Sequence, residues 1–142
     1  MSKNKNDALW WHGGLLPLRF AYAPSEKAWR KALKAISVDP EPYPTSHARC
    51  SIFYGTAYPE TVAIVTLNPT ENATEAQIVG LIVHEAMHCV QYLTRGMFPY
   101  VDGPVRLDDE TEAYAVQYIT QQIYDAYKSL HHPKMAPING GT

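Results

Sequence analysis

At 142 residues, 46% of them hydrophobic, the chain has room and apolar material for one domain with one sizeable core. A formal net charge of -2 and the absence of long basic runs give no electrostatic basis for a nucleic-acid or anionic-membrane partner. No apolar run approaches the ~20 residues of a membrane span, and the polar start MSKNKND has no apolar stretch after it. A soluble, cytoplasmic protein is therefore expected.

A single domain over residues 1–142 is expected, with 1–12 and 130–142 as flexible ends. The leader carries an aromatic pair, Trp10 and Trp11, before Gly13 and Gly14 break the chain. Residues 15–22 (LLPLRFAY) read as a strand weakened at its start by Pro17. Ser25 is an N-cap for a helix in which Trp29, Ala32, Leu33 and Ile36 face inward, with Lys27, Arg30, Lys31 and Lys34 in water. Three prolines, Pro40, Pro42 and Pro44, make residues 38–49 an extended connector.

Residues 51–56 and 61–67 are rich in β-branched and aromatic side chains and read as an antiparallel hairpin. Thr74 and Gln77 form a capping box that opens the next helix, which Gly96 closes. Apolar residues such as Ile78, Ile82, Val83, Val90 and Leu93 make this helix apolar on nearly every side, the mark of a central buried element. The loop 97–107 is placed to wall a cleft. A last helix over 108–128 turns Ala113, Val116, Ile119 or Thr120, Ile123 and Tyr127 inward. The following tail, with His131 and His132, is expected to be loose and solvent-exposed.

The central helix holds the chemistry. His84, Glu85 and His88 form an HExxH pattern, and a helix brings positions four apart onto one face, so both imidazoles reach one cation. Glu85 lies about 100° round the helix from His84, where it meets a water on the same ion rather than the ion itself. Zinc lowers the pKa of such a water and polarises a carbonyl while the glutamate takes the proton, which is hydrolase chemistry. The two cysteines, Cys50 and Cys89, are too few for a disulfide framework and are expected as free thiols.

Catalytic zinc usually has three protein ligands and one open position. Asp109, Glu110 and Glu112, in the stretch DDETEAYAVQ, are the candidates for the third. The chain here resembles the gluzincin branch of the zincin metallopeptidases, whose HExxH is followed by a glutamate on a later helix in an ExxA setting. That resemblance implies Glu110, with Ala113 as its alanine, as the third ligand, and Glu112 with Ala115 fits the same pattern as the alternative. A capping box from Asp109 to Glu112 favours Glu110, whereas a helix beginning at Pro104 turns Glu112 to the core. Tyr114 stands where many relatives carry aspartate.

The resemblance covers the two helices, about a third of the chain, and extends to compact HExxH proteins of tailed bacteriophages. It implies an α+β zincin-like domain: a short sheet whose edge strand lines a cleft, packed on the HExxH helix with the glutamate helix behind. It also implies a zinc metallopeptidase with a peptide or protein substrate. The alternative is a non-catalytic zincin-fold binding or virion protein, whose metal is closed off by a further ligand such as Cys89, Asp109 or a tail histidine.

Overall fold

The structure, a computed structural model, describes residues 4–14, 16–95 and 106–131. Four strands, β1 (Leu9–His12), β2 (Leu18–Tyr22), β3 (Ala48–Phe53) and β4 (Thr61–Leu67), form one mixed sheet in the order β1-β2-β4-β3. Three helices, α1 (Glu26–Ala35), α2 (Glu75–Thr94) and α3 (Asp109–His131), complete an α+β fold. None of these helices is long and apolar enough to cross a membrane.

The sheet is covered on both faces, and the alternation of β4 shows how. Val62 and Ile64 pack with Trp29, Ala32 and Leu33 of α1, whereas Ala63, Val65 and Leu67 pack with Ile82, Ala86 and Cys89 of α2 and Ile123 of α3. All seven β4 residues are therefore buried, as expected of a strand covered on both faces. Parallel pairing with β2 and antiparallel pairing with β3 hold it at the centre.

The hairpin expected over 51–56 and 61–67 is present as β3 and β4, although β3 begins at Ala48 and shortens the proline-rich connector. Helix α1 starts as expected, with the Ser25 hydroxyl accepting the Ala28 backbone N–H, and its basic residues are exposed. The strand expected over 15–22 starts only at Leu18. Gly13 folds back on it, donating its N–H to the Leu18 carbonyl at 2.7 Å; a Cβ on Gly13 would sit 2.9 Å from that oxygen, so only glycine fits.

Two expectations about the chain ends need correction. Leu9–His12 is not a flexible leader but an edge strand, paired antiparallel with β2. Its Trp11 stacks on Phe20 at 5.2 Å while Trp10 packs on the α1 side, so the adjacent aromatics serve opposite faces of one strand. At the other end α3 runs through His131 instead of loosening after 128. The His131 ring stacks on Tyr127 at 4.5 Å, and its Nε2 lies 2.8 Å from the hydroxyl of the buried Tyr22, whose pKa burial pushes up. Tyr22→Phe is expected to cost about 1 kcal/mol, the usual net worth of one hydrogen bond, read as a lower urea midpoint. His132 lies outside the described residues.

Helix α2 also departs from expectation. It is buried along one stripe, Ile78, Ile82, Ala86, Cys89, Val90 and Leu93, but Val83 and Met87 are 39% and 37% exposed and His84 is exposed. Its apolar composition overstates its burial, because the sheet and α3 leave one side open to water. The helix opens with the expected capping box: the Thr74 hydroxyl accepts the Gln77 N–H, and the Gln77 side chain accepts the Thr74 N–H. The helix stop expected at Gly96 and nearly all of the loop 97–107 lie outside the described residues.

Helices α2 and α3 lie antiparallel. Glu75, in the first turn of α2, meets the Tyr124 hydroxyl and lies 3.4 Å from Lys128 Nζ near the end of α3. At the other end, Met87 shares a cavity of about 390 Å³ with Asp109, Glu112, Ala113 and Val116. From Glu75 to Met87 and from Tyr124 back to Glu112 is about 18 Å of helix in each case, so the acidic first turns of α3 come level with His88. Asp108, not Asp109, caps α3: its carboxylate accepts the Thr111 N–H at 2.7 Å. Of the expected inward stripe, Ile119, Ile123 and Tyr127 are buried, Val116 is half-buried and Ala113 is exposed.

Candidate metal centre

On α2, residues 77, 80, 81, 84, 85 and 88 recur at the three- and four-residue spacing that builds a single helical stripe. That stripe faces the start of β3, one of the two edge strands of the sheet. Between them runs an open groove of about 580 Å³, lined on the sheet side by His47 and Ala48 and on the helix side by Gln77, Leu81, His84 and Glu85. Antiparallel pairing with β4 uses one edge of β3, and among the described residues no strand occupies the other.

His84 and His88 stand one turn apart with their Nε2 atoms 3.1 Å from each other. Two nitrogens bound to one zinc ion at 2.0–2.1 Å and a tetrahedral angle stand roughly 3.3–3.4 Å apart, so the pair is already at bidentate spacing. Ligand atoms of His84, Glu85 and His88 all lie within 4.8 Å of one another, a group able to hold a metal ion. His84 is exposed and His88 half-buried, so an ion held there would face the groove and solvent rather than the core.

Glu85 is the buried member, at 5% exposure. Burial pushes its carboxyl above the ordinary glutamate range, and the neighbouring His88 and His84, the Cys50 backbone N–H and Arg49 pull it back toward the charged form. The carboxylate therefore sits between the backbone of β3 at Cys50 and the two imidazoles. Burial leaves Glu85 in need of a partner, whereas the exposed His84 imidazole is satisfied by water.

Of the candidate third donors, none joins the group of three among the described residues. Glu110 lies exposed on the first turn of α3, and Glu112 is half-buried and lines the cavity it shares with Met87. Asp109 lines the same cavity.

The sequence reading missed one proximity. Cys50 on β3 and Cys89 on α2 are free thiols with sulfurs 3.2 Å apart, directly beneath the stripe that carries Glu85 and His88. The Cys89 contact, then burial and the nearby Glu85 carboxyl, push the Cys50 thiol up from its ordinary range. Nothing in the spacing of two cysteines 39 positions apart signals this; it follows only from the seating of α2 on β3.

Set against known proteins, the chain matches no family model, no curated protein and no solved structure.

Proposed function

We propose that the protein is a zinc-dependent metallopeptidase of the gluzincin kind, hydrolysing peptide or amide bonds. One observation carries the reading: two imidazole nitrogens at bidentate spacing and a buried carboxylate gather within 4.8 Å at the end of an open groove. A zinc ion bound there would supply Lewis acidity to a carbonyl oxygen and make water a nucleophile at neutral pH. His84 and His88 would hold the ion through their Nε2 atoms. Glu85 accepts the proton of the attacking water on a carboxylate oxygen and returns it to the departing amine nitrogen. The unpaired edge of β3 offers backbone groups along which an extended substrate chain can lie.

The third ligand in this reading is Glu110, with Glu112, which lines the cavity beside Met87, as the alternative. Glu110→Gln is expected to weaken zinc binding more than Glu112→Gln does, measured by competition with a chromophoric chelator. The reverse order makes Glu112 the ligand.

A non-catalytic site, in a binding or virion protein, is the second reading. It is favoured by the gathering of only two imidazoles and one carboxylate among the described residues. Metal analysis of protein purified without a histidine tag, in parallel with cleavage of a broad peptide library, separates the two. Stoichiometric zinc with cleavage supports the peptidase, zinc without cleavage supports the second reading, and protein without metal overturns both.

A further inference from the structure

Gly80 is placed where the fold has no use for a glycine. It lies inside α2, where glycine is the poorest helix residue after proline because it loses most backbone entropy and packs nothing. Its backbone is not in the left-handed region, where the positive-φ glycines among the described residues are Gly14 and Gly55. A Cβ built on it meets no atom within 4 Å, so no close approach requires its absence. What Gly80 does is leave the groove wall bare one helical turn before His84, on the same stripe as Leu81 and Glu85.

The surroundings specify what fits there. Elsewhere in its lining the groove is again small, with Ala48 from β3 and Ala73 from the turn before α2, and Leu81 and Pro69 add apolar surface. Among the described lining residues, Glu85 is the one carboxylate, and no lysine or arginine takes part. From Gln77 to His84 the groove follows about 10 Å of helix, the length of roughly three residues of extended chain. An acidic side chain would find no lysine or arginine here, and the one carboxylate, Glu85, already faces the imidazoles, whereas an apolar side chain gains the burial that three small residues leave available.

We propose that Gly80 is a specificity-determining residue: it opens a subsite in which an uncharged, apolar side chain of an extended peptide substrate seats between Leu81 and Ala48, next to the scissile bond held at His84 and His88. The proposal rests on the peptidase reading and assigns it a substrate class, peptides with a bulky apolar residue beside the cleaved bond. Because a side chain at position 80 points into open space, enlarging it fills the subsite without disturbing the core.

The test is calorimetric binding of two probes, N-acetyl-leucine hydroxamate and N-acetyl-glycine hydroxamate, to zinc-loaded wild type, Gly80→Ala and Gly80→Leu. Melting temperatures are recorded alongside. Wild type is expected to prefer the leucine probe by at least about tenfold, the low end of what burying one aliphatic side chain yields. Gly80→Leu is expected to abolish that preference while binding the glycine probe within about threefold of wild type, and Gly80→Ala to fall between. Both variants are expected to melt no lower than wild type, since the helix gains a better former. If the glycine probe binds and wild type shows no preference, or Gly80→Leu keeps it, the subsite is overturned and the metal reading stands. If neither probe binds zinc-loaded wild type, the peptidase reading falls and the subsite with it.

Discussion

Glu85→Gln is expected to leave zinc stoichiometry and melting temperature close to wild type while lowering peptide hydrolysis by about 10²–10⁴-fold, the contribution of a positioned general base. The substitution keeps shape and volume. With the buried volume unchanged, the seating of α2 against β3 survives. What disappears is a basic oxygen at the one buried position of the stripe. Steady-state cleavage and metal content, measured on the same preparations, read the two effects separately. A wild-type activity that Glu85→Gln leaves intact would remove Glu85 from the chemistry.

The second large effect concerns the histidines. A metal that binds only the folded chain stabilises it by RT ln(1 + [L]/Kd), about 4 kcal/mol when free zinc exceeds Kd a thousandfold. For a domain of this size that is a rise in melting temperature on the order of 10 °C. His84→Ala and His88→Ala are each expected to abolish most of the zinc-dependent rise. In chelator the His84 variant is expected to melt near wild type, because His84 is exposed and its removal opens no cavity. Thermal denaturation with zinc and with EDTA checks this. Equal melting temperatures for wild type in the two conditions would count against the site.

Local signals account for what the sequence made legible. The Thr74 capping box, the Ser25 N-cap and the β-branched run of β4 are each decided by chemistry within a few residues, and each lies where expected. The HExxH triplet depends only on helical spacing, so its nitrogens converge once the helix exists. Four-residue β1 was opaque because Trp10 and Trp11 read as an isolated aromatic pair, and only the sheet reveals that they face opposite sides. The open side of α2 was hidden for the converse reason: Val83 and Met87 are apolar, yet hydropathy says nothing of whether a neighbour arrives to cover them. Which carboxylate of α3 approaches His88 depends on the rotation of one long helix against another. A shift of the cap from Asp109 to Asp108 already loosens that assignment.

The parallel seam between β2 and β4 bears on how the chain reaches this structure. Leu18 pairs with Thr61, and everything between them, α1 and β3 included, must be in place or out of the way before the seam closes. By contrast β1 with β2 and β3 with β4 are neighbours in sequence, and α2 leans on β3, β4 and α3. Short-range pairs close early and long-range ones late, because chain entropy is lost before distant contacts reward it. The order of assembly that follows is a carboxyl-terminal unit of β3, β4, α2 and α3 first, with the amino-terminal strands and α1 docking onto the bare edge of β4 afterwards. The imidazole pair belongs wholly to the early unit, so an ion bound there would stabilise that unit before the sheet is complete.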